Sequence, residues 1–80
     1  MGHARRRPKR LAGKLREIRE THKLSQSRLA DQLDIGLDAS EISRYENDHR
    51  EPSMITLLAY ARFAKVMLEQ LIDDELELEI

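Results

Sequence analysis

Ser25, Asp38 and Ser53 each stand immediately before a stretch whose apolar side chains return every three or four positions. A short side chain with an oxygen acceptor in that place satisfies one of the four N–H groups that every helix start leaves unpaired. Glu41 follows Asp38 by three residues, the spacing of a variant capping box. Three such starts so close together allow only short helices with tight breaks between them. The chain is therefore expected to fold as a small helical body.

The apolar spacing fills in the segments. Leu11, Leu15 and Ile18 recur at i, i+4 and i+7, one stripe of a first helix that ends near Thr21–Lys23. Pro8 is expected in its first turn, where a missing N–H costs nothing. A second helix follows Ser25 with Leu29, Ala30 and Leu33 on its buried side. A third follows Asp38. A fourth follows Ser53, with Met54, Leu57, Leu58, Ala61 and Ala64 expected inside. A last short helix covers about Leu68–Asp73. The fold class is all-α with five helices. The closing ELELEI, Glu75–Ile80, differs: it alternates strictly with period two and is a candidate short C-terminal β-strand.

Composition narrows the function classes. Eighty residues make one domain with a marginal core, and at 4% aromatic that core is aliphatic. With no Cys there is no disulfide framework, thiolate nucleophile or Cys-based zinc site, which suits a reducing cytoplasm. No apolar run approaches the roughly 20 residues that span a bilayer, and no signal-peptide core follows the basic start, so a cytoplasmic protein without membrane contact is expected. No nucleotide-binding loop or HExxH is present, and His3, His22 and His49 lack metal-ligand spacing. Asp73, Asp74 and Glu75 read as an exposed acidic run rather than a catalytic carboxylate cluster. No enzyme activity, cofactor or metal is expected. The net charge of −1 hides a strong asymmetry. Residues 1–28 hold ten Lys/Arg against two Glu; residues 29–80 hold four Lys/Arg against thirteen Asp/Glu. A basic front and an acidic tail suggest nucleic acid as a partner.

Four pieces then fall in a telling order: KLREIRE (Lys14–Glu20), LSQSRLA (Leu24–Ala30), ISRYEN (Ile42–Asn47) and REPSMITLLAYA (Arg50–Ala61). Together they resemble the helix-turn-helix of the phage-repressor and Cro-like (XRE-like) family, over about Leu11 to Leu71. The resemblance implies a sequence-specific DNA-binding transcriptional regulator, expected to be a repressor. Its partner is double-stranded DNA, and a homodimer is expected because one unit reads only a half-site. A helix on a two-helix platform fits a major groove about 12 Å wide. Ser40 and Arg44 lie on the outward side of that helix with Ala39 and Glu41 at the same end, and these four are the candidate base contacts. Arg44 has the fork that pairs with guanine O6 and N7; an ion pair with Glu41 is its competing use. The family's phosphate contacts map onto Gln26 and Ser27 at the second helix start and onto Asn47, His49 and Arg50 after the third. The family's bridge between first and third helices maps onto Arg19 and Glu46.

This sequence also departs from the family. The turn between helices two and three is about two residues longer, so Gly36 or Asp34 is expected to take the left-handed conformation. Asp48 replaces a common glycine, and Met67 stands where a serine cap usually begins the last helix. The expected organisation is a basic flexible arm at 1–10, the helix-turn-helix body at 11–73 and an acidic alternating tail at 74–80. The arm, with RRRPKR at Arg5–Arg10, suits phosphates or a minor groove. Four readings of the tail stand side by side: a strand pairing with the same segment of a second subunit, a frayed end, a strand donated to a partner protein, and an acidic mimic that covers the basic arm. A protein-interaction module, antitoxin-like or an adaptor that uses this tail, is the alternative function.

Overall fold

In the computed structural model, residues 7–80 are described. The first part of the basic arm, residues 1–6, lies outside the described residues. Five helices follow in order: α1 (Leu11–Thr21), α2 (Gln26–Leu33), α3 (Ala39–Glu46), α4 (Met54–Ala64) and α5 (Leu68–Ile72). No strand occurs among the described residues.

The caps set the helix starts. Ser25 Oγ accepts from the Arg28 amide at 3.1 Å, and Ser53 Oγ from the Thr56 amide at 3.2 Å. Asp38 and Glu41 close a full capping box on α3. α5 has only half a box: Gln70 Oε1 accepts from the Met67 amide at 2.9 Å, but Met67 has no oxygen to return the bond. Pro8 lies before α1, whose N-cap is Arg10, rather than in its first turn.

Left-handed residues other than glycine close several helices. Lys23, Asp48 and Lys65 have φ of 56, 58 and 59°, and each closes its helix with a pair of backward amide bonds. After α3, for example, the His49 amide bonds Arg44 O at 2.8 Å and the Asp48 amide bonds Tyr45 O at 3.2 Å. That geometry is the one a glycine favours. In the turn after α2 both Asp34 and Gly36 are left-handed, at φ 54 and 81°. The extra residues of this turn are absorbed there, before the Asp38 cap.

The core is the aliphatic one the composition requires. Leu15, Ile18, Leu29, Ile42 and Leu71 are inaccessible, as is Tyr60. Each such side chain contributes about 1.5–3 kcal/mol by leaving water. α2 packs most closely on α3; α1 braces α3 on one side and α5 on the other. α4 departs from its expected face. Leu57 and Ala61 are buried as expected, but their neighbours inside are Thr56 and Tyr60, while Met54 is 63% exposed and Leu58 39%. α4 is apolar almost all round, so periodicity alone gives no unique inward stripe.

The acidic tail does not form a strand within this chain. It turns back onto the body after α5. Lys14, although charged, is only 3% exposed, because its Nζ donates to the carbonyls of Gln70, Asp73 and Leu76 at 2.6, 3.0 and 2.9 Å. Its three donors meet three acceptors, so the buried ammonium is fully satisfied. Leu78 packs against the core, and Leu76 and Ile80 remain 40% and 46% exposed.

Candidate nucleic-acid interface

The candidate interface is built on α3, and three layers of contacts fix where α3 points. The first is its start. The Glu41 amide donates to Asp38 Oδ1 at 3.0 Å, and the Asp38 amide donates to Glu41 Oε1 at 3.2 Å. Ser40 Oγ donates to the same Asp38 Oδ1 at 2.8 Å. The Ser40 hydroxyl first, then the Glu41 amide, hold the Asp38 carboxyl below its ordinary value. The first turn of α3 is therefore wound before any ligand arrives.

The second layer is an ion pair. Arg19 on α1 meets Glu46 on the last turn of α3 through two parallel bonds, Nε to Oε2 at 2.7 Å and Nη2 to Oε1 at 3.0 Å. The side chains are 15% and 3% exposed. Arg19 Nη1 also donates to Leu24 O at 2.9 Å, and Gln26 Nε2 donates to Glu46 Oε1 at 3.3 Å. One guanidinium thus ties together the end of α1, the approach to α2 and the end of α3. The planar fork is what makes this geometry available; a lysine ammonium lacks it. The third layer is the closing turn, where Asn47 Nδ2 donates to Ser43 O at 2.8 Å and to Ser43 Oγ at 3.2 Å.

These commitments separate the candidate residues. Ser40, Arg44 and Asn47 are exposed and share one side of α3; Ala39 and Glu41 are half-buried. Glu41 is engaged with the cap. The Arg44 side chain makes no ion pair with Glu41, nor any hydrogen bond or ion pair with another described residue, and its charge acts on Asp38 only through space. Ser27, His49 and Arg50 are exposed beside the two ends of α2 and α3, while Gln26 is half-buried with its amide turned to Glu46. A mixed surface results: α3 presents a free guanidinium with polar groups before and after it.

The comparisons with known proteins bear on this arrangement. A helix-turn-helix family model, HTH_3, matches residues 15–71, from the fifth residue of α1 to the penultimate residue of α5. The chain belongs to this family. It is a DNA-binding helix-turn-helix of the phage-repressor and Cro-like kind, with α2 and α3 as the two helices that name the motif. Among solved structures, the chain is similar to the P22 c2 repressor in a crystal structure with the synthetic operator 9T in the presence of Tl+. The TM-score is 0.72 at 23% identity, over 80% of this chain and 94% of that one. That likeness shows a shared fold. No curated protein matches the chain.

Other features lie outside what sequence patterns gave. Lys14 reads in the sequence as a solvated helix residue, since an i, i+4 pattern carries no sign of three carbonyls converging from the far end of the chain. Tyr60 is buried with no partner for its hydroxyl among the described residues, and burial pushes its phenol up. No helix among the described residues is long and apolar enough to cross a membrane, and none of them group as a metal-ligand cluster.

Proposed function

We propose that the protein is a sequence-specific transcriptional repressor that reads the major groove with α3, acting by binding rather than catalysis. The observation that carries this reading is Arg44, exposed in the last turn of α3, its side chain without a hydrogen bond or ion pair among the described residues while its polar neighbours serve the caps. Arg44 forks onto guanine O6 and N7. Ser40, one turn earlier, offers its lone pairs or hydroxyl to the adjacent base. Ala39 meets a thymine methyl. Glu41 stays with the Asp38 cap and lies at the margin of the base contacts. Ser27 and Gln26 at the start of α2, with Asn47, His49 and Arg50 after α3, hold phosphates and set register. Arg19 and Glu46 fix the angle of the reading helix. Two copies bind neighbouring half-sites related by a two-fold axis.

The test is a salt titration on a selected operator and a random duplex. With about five to seven phosphates held per subunit, log K falls with log salt by about 0.9 per contact. Arg44→Ala is expected to cost about 1–3 kcal/mol per half-site on the operator, relaxing one base position, with little effect on random DNA. Ser27→Ala and Arg50→Ala are expected to weaken both duplexes alike. Equal losses on both duplexes for Arg44→Ala would remove it as a base reader, and a salt-independent affinity would remove the DNA reading itself.

A further inference from the structure

The basic arm and the acidic tail are distant in sequence but joined in space, and the contacts between them are of two kinds. The inner kind is the buried Lys14 ammonium, which fixes the path of residues 70–76 against α1. The outer kind is exposed and ionic. Asp74 presents one carboxylate oxygen to the Lys9 amide at 2.8 Å and the other to the Arg10 amide at 2.9 Å. Arg10 meets Glu77 through both terminal nitrogens, at 3.3 and 3.0 Å, and donates to Asp74 O at 2.8 Å. At the start of the described part of the arm, Arg7 pairs with Asp48 at 2.9 Å, in the turn directly after α3. The described part of the arm therefore lies as a strap from the end of the reading helix to the tail. Carboxylates occupy it at both ends.

We propose that this strap is an autoinhibitory clasp: Asp48, Asp74 and Glu77 stand in for DNA phosphates on the arm of the free protein, and a duplex must displace them before the arm can bind. The proposal rests on the DNA reading above and adds to it a built-in competitor. Three observations support it. A carboxylate and a phosphodiester both offer paired anionic oxygens to a guanidinium fork, so one site serves either. The Arg10–Glu77 pair has side chains 42% and 76% exposed, and the Arg7–Asp48 pair 47% and 63%, so both are weak, salt-screened contacts that a dense row of phosphates can exchange. The Arg7 end already lies beside Asn47, His49 and Arg50, the turn proposed to meet the backbone, so release of Asp48 adds a cation to that same patch. The inner Lys14 anchor has no such exposure. It stays closed and keeps the tail beside the arm, at high local concentration, ready to re-engage.

The experiment is a double-mutant cycle on the full chain, read as affinity for a random-sequence 20-base-pair duplex at 0.1 M salt. Glu77→Gln keeps the shape of the side chain and removes its charge. It is expected to tighten binding by about 1.5- to fivefold, in the range of one exposed ion pair, and to steepen the salt slope, because no cation need be taken up by a released carboxylate. Arg10→Gln alone is expected to weaken binding. Arg10→Gln with Glu77→Gln is expected to bind like Arg10→Gln, because Glu77 acts through Arg10. If Glu77→Gln instead gives the same gain with and without Arg10, the tail repels DNA through space and the clasp is overturned. Amide exchange of Lys9 and Arg10 gives a second readout. Duplex binding is expected to speed it severalfold by removing Asp74; unchanged protection in the bound state would equally overturn the clasp. Failure of the wild-type chain to bind any duplex at low salt would strike the DNA reading, a result distinct from either of these.

Discussion

At the scale of single residues, the helix-turn-helix is held by charges that differ greatly in setting. Arg19 and Glu46 are largely out of water and joined by a two-bond fork; Arg10 and Glu77 are joined by two bonds as well, but longer ones and in solvent. Burial decides their weight. Removing one partner of a buried pair strands the other charge, while an exposed partner is simply hydrated. Arg19→Met is expected to destabilise the fold by about 3 kcal/mol, and Arg10→Met by far less, as read by urea denaturation. Equal shifts in midpoint would mean that Glu46 finds water or another donor. The left-handed positions give a prediction of opposite sign. Lys65 has φ 59° at the close of α4, a conformation that costs a residue with a Cβ about 1–2 kcal/mol, while glycine's extra freedom in the unfolded chain returns part of that. Lys65→Gly is expected to stabilise by about 0.5–1 kcal/mol and raise the melting temperature by a few degrees. A lower melting temperature would show that the lysine side chain does something for the folded state that its backbone conformation conceals.

At the scale of elements, what the sequence disclosed follows from how local each signal is. The helix starts were legible because a cap is an interaction over three residues: Ser25, Asp38 and Ser53 occupy the N-cap positions read for them. The inward face of α4 was not, because Met54, Ile55, Leu57 and Leu58 are all apolar and only packing against α2 and α5 selects among them. The turn between α2 and α3 was partly legible. A left-handed residue was expected at Asp34 or Gly36, and both are left-handed. A Cβ on Gly36 meets nothing within 4 Å, so the cost of a side chain there is one of backbone conformation alone. Gly36→Ala is expected to destabilise by about 1 kcal/mol. Because this turn sets how α3 departs from α2, the same substitution is expected to weaken operator binding more than random-duplex binding. An unchanged ratio of the two affinities would show that the turn relaxes without moving α3.

At the scale of the whole molecule, the charge asymmetry seen in the sequence becomes a contact. A period-two pattern at the C-terminus says that one face is apolar, but not what that face meets. In this chain Leu78 lies on its own core, and Glu77 of the glutamate face pairs with Arg10. Lys14 explains why the tail can follow that path, and no spacing rule exposes a lysine that is satisfied by carbonyls more than 50 residues away. The closure has a pH signature. The Lys9 and Arg10 amides hold the Asp74 carboxyl below its ordinary 3.8, and the Arg10 guanidinium holds Glu77 below its ordinary 4.5. A group whose folded pKa is depressed binds protons more readily in the unfolded chain. Its stabilisation is fully present above the ordinary value and disappears as pH falls through the depressed one. Asp38, held down by Ser40 and the Glu41 amide, has the same sign in the same window. The melting temperature is therefore expected to be flat from about pH 6 to 5 and to fall progressively as acid is added below pH 4.5. In the variant carrying Asp74→Asn and Glu77→Gln the decline is expected to be shallower, because two of the three depressed groups no longer titrate, while the Asp38 share persists. Parallel melting curves for the two proteins between pH 5 and 3 would show that the tail carboxylates gain nothing from the arm in solution, and would leave α3's own cap as the acid-sensitive element.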